Sequence, residues 1–253
     1  MIERLGASII DSITRLGNFV LFLATAVFYV LLPPYKPRLL IRQIRTIGAD
    51  SFFLVGLIGL FTGMVLGLQG YNTLRRFSSE GALGTVVALV LVRELGPVLS
   101  AIMITARAGS AMAAEIGAMQ ATEQVDALTV MAINPVQYLV SPRILAGVIS
   151  FPLLTSIFDV IGIWGGWLIG VGLMGAPNGP FFNGIAQNMS RHDIATGIEK
   201  AFVFGIVVMW VCCYKGYYAA RMATGVSRAT TEAVVLSSVM ILAWDYFMTS
   251  ILL

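Results

Sequence analysis

The sequence predicts an all-α integral membrane protein: an N-terminal interfacial amphipathic helix, then five transmembrane helices, with short cytoplasmic coupling helices. Three observations predict it. Of the 253 residues, 58% are hydrophobic and only 11% charged, with a mean hydropathy of +0.87; a soluble domain is about 25% charged. So few charges cannot cover a surface that faces water, so lipid must be the solvent. The apolar residues also fall in runs near the ~20 residues needed to cross hydrocarbon. Backbone groups in lipid need internal partners, which makes those runs helices. Finally, Lys and Arg are divided unevenly between the connecting segments.

Residues 1–35 form the interfacial, elbow-like helix. Ile2, Leu5, Ile9, Ile13, Leu16 and Val20 recur at helical spacing among Glu3, Arg4, Asp11 and Arg15, the pattern of a helix lying in a membrane interface. The apolar continuation Phe19–Leu32 stops at Pro33-Pro34, at the lower limit of length for a span, and is read as interfacial or half-inserted in preference to a full span. The five transmembrane spans are predicted over 48–70, 83–106, 144–174, 197–214 and 232–253, with a cytoplasmic coupling segment over 107–143. No linker, charge run or low-complexity stretch divides 1–253 into further domains. Residues 1–18 lack the basic, apolar, small-residue order of a cleavable signal peptide.

Orientation follows from the basic residues. Lys36, Arg38, Arg42, Arg45, Arg107, Arg143, Lys215, Arg221 and Arg228 fall on one side, and only Arg75, Arg76 and Arg191 on the other. The first set marks the cytoplasm. The N-terminus is then cytoplasmic, the C-terminus periplasmic, and loops 71–82 and 175–195 face the periplasm. The same bias accounts for the net charge of +3 without nucleic acid. Gly59, Gly63 and Gly67, like Gly162, Gly166 and Gly170, recur every four residues and predict close helix packing. Cys212 and Cys213 are adjacent and read as small hydrophobes.

Chemistry is sought where polarity is expensive. Arg93 and Glu94 lie near the centre of their span, where one ionisable residue costs about 2.5–3.5 kcal/mol on insertion scales. They are followed by Gly96-Pro97. Pro97 has no amide hydrogen, so the carbonyl of Arg93 loses its helical partner. Lys200 and Asp245, on two other spans, are candidates to neutralise the pair. Two readings follow: a polar element of a translocation path, or an ion-pair network holding the helices in register.

In the coupling segment, Thr122 can cap a helix starting at Glu123, with acidic residues near its positive end. Asn134-Pro135 ends it, and Ser141-Pro142 starts the next span, with Ser as cap and Pro in the first turn. Val125, Leu128 and Met131 share a side that a partner's groove could take. No G-x-x-x-x-G-K-[ST] loop occurs, nor a nucleophile–base pair or clustered metal ligands. An energy source must come from a partner or an ion gradient.

Five segments then carry a resemblance: Gly63-Met-Val-Leu-Gly67-Leu-Gln69-Gly70-Tyr71; Arg93-Glu94-Leu-Gly96-Pro97-Val; Ala106-Arg107-Ala-Gly109-Ser110; Glu115-Ile-Gly-Ala-Met119 with Thr122-Glu123-Gln124; and Gly225-Val-Ser-Arg228-Ala-Thr230-Thr231. Together, from about residue 38 to the C-terminus, they resemble the MlaE (YrbE-like) permease family. The resemblance implies a homodimeric permease of a Gram-negative inner-membrane ABC transporter that carries glycerophospholipid for outer-membrane asymmetry. It implies two copies of a cytoplasmic ATPase that binds ATP and Mg, a STAS-domain protein on that ATPase, and a periplasmic hexamer of MCE domains. No cofactor is implied in this chain, which would not itself be an enzyme. Glu115, Met119, Thr122, Glu123, Gln124, Asp126 and Leu128 would couple to the ATPase. Arg93, Glu94, Lys200 and Asp245 would form the polar network, and Leu66, Leu68, Tyr71, Val90 and Leu95 the apolar wall of a lipid cavity. An ion-coupled secondary transporter is the rival reading, although no internal repeat of spans supports it. A lipid enzyme lacks a catalytic constellation, and a passive scaffold for an MCE-domain protein remains open.

Overall fold

The computed structural model describes residues 2–31 and 37–252, and every element among them is helical. α1 (Ile2–Leu31) is the predicted elbow; its apolar part, Leu16–Val30, is shorter than a span. The Pro33-Pro34 break, and the side chains of Ile2, Leu5 and Ile9, lie outside the described residues. α1 is docked by its second half. Phe19 stacks on Trp210 with ring centres 3.9 Å apart, and Trp210 Nε1 donates to the Phe19 carbonyl at 3.0 Å. The other face (Ile13, Leu16, Leu21, Phe28) is exposed and apolar, suited to lipid.

Five helical paths among the described residues are long and apolar enough to cross a membrane. The first is a corner: α2 (Pro37–Ile47), a tight turn at Ala49–Ser51, and α3 (Phe52–Arg75). Arg107 staples it, donating to the Thr46 carbonyl at 3.1 Å and Ser51 Oγ at 3.0 Å. A carbonyl left over at the end of α2 thus finds a cationic donor. The second path, Glu80–Ala121, comprises α4 (Leu83–Val90), α5 (Gly96–Ile104) and α6 (Ser110–Ala121), joined by π-helical turns at Leu91–Leu95 and Thr105–Gly109. Residues 107–121 therefore continue the second helix. After them comes α7 (Gln124–Val130).

The third path, Val136–Leu173, begins with a π turn, Val136–Val140, runs through α8 (Ser141–Trp167), and ends in another π turn, Leu168–Leu173. Its capping differs from the sequence expectation. Asn134 Oδ1 accepts from the amides of Val136 and Gln137, at 3.0 and 3.4 Å. Asn134 is the cap and Ser141 lies inside the helix. α9 (Asn178–Asn188) occupies the next loop, and α10 (Arg191–Tyr217) and α11 (Ala223–Leu252) complete the bundle. Two π turns share a cause. Each precedes a proline, and the residue before that proline bonds five residues back: Gly96 N to Leu91 O, and Ser141 N to Val136 O. A wider turn relieves the clash between a proline ring and the preceding turn.

The two glycine ridges pack on each other within one chain, joining α3 and α8 in parallel. A Cβ on Gly63 would lie 1.7 Å from the Gly162 carbonyl oxygen, and one on Gly67 would lie 2.7 Å from that of Gly166. Gly63→Ala should therefore destabilise the protein by about 3 kcal/mol, the upper range for overpacking. Gly172→Ala, with nothing within 4 Å of its added Cβ, should be near neutral. Thermal unfolding in detergent compares them; equal midpoints would refute the seam.

Candidate functional site

The centre of the bundle is organised by one ammonium group. Lys200, on α10, is fully buried and donates to the Arg93 carbonyl at 3.0 Å, Glu94 Oε2 at 2.8 Å and Thr249 Oγ1 at 2.7 Å. Those three bonds use its three protons. Asp245 Oδ1 stands 3.0 Å away as a fourth neighbour, an ion pair rather than an aligned hydrogen bond. Thr249, one turn beyond Asp245 on α11, donates onward to Glu94 at 3.3 Å. The Arg93 carbonyl is the one that Pro97 deprives of its i+4 amide. Sequence locates the vacant acceptor; that Lys200, expected there to neutralise the charged pair, is its donor is a finding of the structure.

Arg93 itself turns elsewhere. Its Nε and Nη2 reach Asp193 Oδ1 at 2.8 and 2.5 Å. Asp193 also caps its own helix: Ser190 Oγ accepts from Asp193 N at 3.2 Å, while Asp193 Oδ2 accepts from Ser190 N at 2.8 Å. This reciprocal box fixes the start of α10, and Arg93 ties it to the π turn before Pro97. The expected four-residue cluster is therefore two linked pairings, Lys200 with Glu94 and Asp245, and Arg93 with Asp193. The Ser190-x-x-Asp193 spacing was the signal for the missed partner. Arg93, Glu94, His192, Asp193, Thr196, Lys200 and Thr249 line a cavity of about 170 Å³.

A second carboxyl was passed over. Asp159, within α8, is 9% exposed, and its Oδ1 has no hydrogen-bond partner among the described residues. It lies so close to Gly96 that a Cβ there would meet Oδ1 at 1.8 Å. One turn earlier on α8, Thr155 shares a 2.7 Å hydrogen bond with Ser100. A polar seam thus follows the Pro97 bend on the α8 side.

The five apolar wall candidates do not share a surface. Tyr71 is buried, Leu66 and Leu95 pack against the core, and Leu68 and Val90 are exposed. None lines the cavity at Lys200. Leu66 and Leu68 are two residues apart, about 200° around a helix, so they cannot face the same way.

At the α7 end, Glu115 pairs with Arg143 at 2.7 Å, and Arg143 is 2% exposed; the Glu115 carboxylate is committed within the chain. Asp126 pairs with Arg221 at 2.8 Å, tying α7 to the segment before α11. Thr122 does not cap α7: its Oγ1 bonds back to the Ala118 carbonyl at 2.9 Å, closing α6. Glu123 (φ 59°) and Ala132 (φ 58°) flank α7 in the left-handed region, uncommon for residues with a Cβ. Gln124 opens α7, and Val125 is buried. Leu128 and Met119 pack against the core, so the Val125/Leu128 face points inward. The exposed apolar tip is Val130 and Met131, at 88% and 67%.

Five crossing helices, a buried polar cluster at their centre and a continuous helix from that cluster towards an exposed apolar tip define a membrane-embedded permease. The chain belongs to the MlaE permease family, whose model, described as permease MlaE, matches residues 40–251. It is 43% identical to the intermembrane phospholipid transport system permease protein MlaE of Haemophilus influenzae, over 99% of this chain and 97% of that one. It is also 43% identical to a probable ABC transporter permease protein of Rickettsia felis, over 93% and 91% of the two chains. A likeness of 32% to the chloroplastic protein trigalactosyldiacylglycerol 1 of Arabidopsis thaliana covers 83% of this chain and 60% of that one.

Lys200→Met keeps much of the side-chain volume but leaves Glu94, Asp245 and the Arg93 carbonyl without their shared donor. The Glu94 side chain is 42% exposed, so water screens part of the loss. The expected destabilisation is about 3 kcal/mol, the lower end for breaking a buried pair. Adding Glu94→Gln and Asp245→Asn should recover part of it. An unfolding midpoint unmoved by Lys200→Met would show that the network does not hold the bundle.

Proposed function

We propose that this chain is the permease subunit of an ABC transporter that moves glycerophospholipid between the inner and outer membranes and so maintains outer-membrane lipid asymmetry. It works as a homodimer in the inner membrane, with its N-terminus cytoplasmic and its C-terminus periplasmic. Two ATPase subunits bind ATP and Mg at its cytoplasmic face, with a STAS-domain protein on the ATPase, and a periplasmic MCE-domain hexamer receives or supplies the lipid. The observation that carries this reading is the single helical path Glu80–Ala121. It holds Arg93 and Glu94 in the π turn before α5 and leads through α6 to α7. The Haemophilus relative's name supports phospholipid as the cargo.

The working cycle follows from that path. Closure of the ATPases displaces Val130 and Met131, α6 transmits the displacement, and the π turns at Thr105–Gly109 and Leu91–Leu95 absorb a change of register. The polar cavity between the Leu91–Leu95 turn, α10 and α11 then changes shape. Lipid leaves because the closed shape no longer accommodates it. Differential affinity between two states is all the coupling requires.

Val130→Asp with Met131→Asp should leave a folded chain that no longer co-purifies with an ATPase. Glu115→Lys is a poor probe, because it would place a second cation beside buried Arg143. Retention of the ATPase by the double variant would refute α7 as the coupling element. One observation favours an ion-coupled carrier: Asp159, a mid-span carboxyl with no ion pair among the described residues. That rival predicts transport on an ion gradient without ATPase, abolished by Asp159→Asn. The ABC reading predicts ATP-dependent transfer of labelled phospholipid by the reconstituted complex, retained in Asp159→Asn.

A further inference from the structure

A second cavity, of about 440 Å³, lies at the α7 end of the bundle, between α1, the end of α10 and the start of α11; Asn18, Tyr214, Lys215, Tyr218, Arg228 and Glu232 are among its lining residues. It is separate from the cavity at Lys200. Its charges do not cancel. Glu232 serves two cations at once, with Lys215 Nζ at 2.8 Å from Oε2 and Arg228 Nε at 2.8 Å from Oε1. Two cations against one carboxylate leave an excess of one positive charge. Arg228 is exposed, and its two terminal nitrogens make no hydrogen bond among the described residues. A planar fork of unused donors suits a phosphodiester.

The depth of the cleft selects the source of that phosphodiester. The apolar run of α10 ends at Cys213, immediately before Tyr214-Lys215, so these side chains fall where hydrocarbon gives way to water. Phe22, Tyr214, Tyr217 and Tyr218 form a ring cluster there, with centroids 4.8–6.1 Å apart, as expected of residues at headgroup level. Beside the cleft, α1 presents Leu21, one turn beyond Asn18 and 64% exposed, as a surface for an acyl chain. We infer that this cleft holds the headgroup of an anionic glycerophospholipid from the leaflet at the α7 end, the cytoplasmic one in the orientation proposed above. This lipid is a resident of the complex, distinct from its cargo. Asp126–Arg221 connects α7 to the segment between α10 and α11, so the lipid sits beside the coupling element.

The test uses the full chain with its co-purifying subunits, delipidated and reconstituted in nanodiscs of phosphatidylcholine with or without phosphatidylglycerol. Native mass spectrometry reads retained phosphatidylglycerol. Lys215→Gln with Arg228→Gln should lower retention by about fivefold for each cation removed, and Glu232→Gln should raise it. Opposite responses from variants of one cleft separate binding from misfolding. Equal retention in all three proteins overturns the proposal. Inorganic phosphate, added to phosphatidylcholine nanodiscs, should not raise the unfolding midpoint; if it does so as well as phosphatidylglycerol, the cleft binds a free anion instead. Loss of the ATPase with unchanged lipid retention from the cation variants would show a protein-docking surface and also overturn it. Failure of the wild-type chain to recover any ATPase would sink the proposed function and leave the lipid readout intact.

Discussion

The bond from the Lys200 ammonium to the Arg93 carbonyl is the constraint on which the centre of this bundle depends. A proline in a membrane-crossing helix removes an amide donor where no water is available to replace it. Here the replacement is a charged side chain from a different helix, which in turn requires counter-charges. Glu94 comes from the bent helix itself, Asp245 and Thr249 from α11. One missing hydrogen at Pro97 thus explains why three helices exchange polar groups around Lys200. A buried ion pair is weak evidence for net stability. What this one supplies is register: the Leu91–Leu95 turn, α10 and α11 meet with these residues level or not at all.

The rest of the bundle divides between rigid seams and adjustable turns. α3 and α8 touch backbone to backbone through Gly59, Gly63, Gly162 and Gly166, which leaves no room for independent motion. The second helix is interrupted twice by π turns, at Leu91–Leu95 and Thr105–Gly109. Arg93 and Glu94 lie in the first, and Arg107, the staple of the α2–α3 corner, in the second. Polar side chains that join elements are therefore carried where the helix is least regular. π turns concentrate at functional positions in other helices for the same reason, since one residue more per turn re-aims the side chains beyond it.

The spans, the glycine ridges and the four central charges were legible in the sequence because each follows from a strong local cost: apolar length, backbone approach, or charge in hydrocarbon. What was not legible depended on direction. Spacing places Val125, Leu128 and Met131 near one another on a short helix, but only packing decides that Val125 and Leu128 face in while Val130 and Met131 face out. Hydrophobicity likewise says nothing of direction around α3, where Tyr71 faces in and Leu68 faces out. Asp193 was missed although its capping box with Ser190 is a local pattern, because its second role needs Arg93, one hundred residues earlier. The extent of α6 was missed because Arg107, Ser110 and Glu115 look like loop polarity. The intervening residues, largely Ala and Met, are strong helix formers, and the helix continues past its apolar stretch.

That continuation has a mechanical consequence. Had the second helix ended near Arg107, a displacement at α7 would reach the charge cluster only through a flexible connection, and a small movement would dissipate there. Because α6 runs unbroken to Ala121 and is closed by Thr122 back-bonding to Ala118, the tip at Val130 and Met131 is separated from it by one tight turn at Glu123. Arg143–Glu115 and Arg221–Asp126 brace that assembly against α8 and the segment before α11. Force applied to the tip is then conveyed along a braced helix to the first element able to change register, the π turn at Thr105–Gly109, and next to the one carrying Arg93. The Lys200 bonds lie at the end of that route. In the proposed cycle, the α7 tip and the polar cavity at Lys200 are thus joined by backbone rather than by side-chain contacts alone.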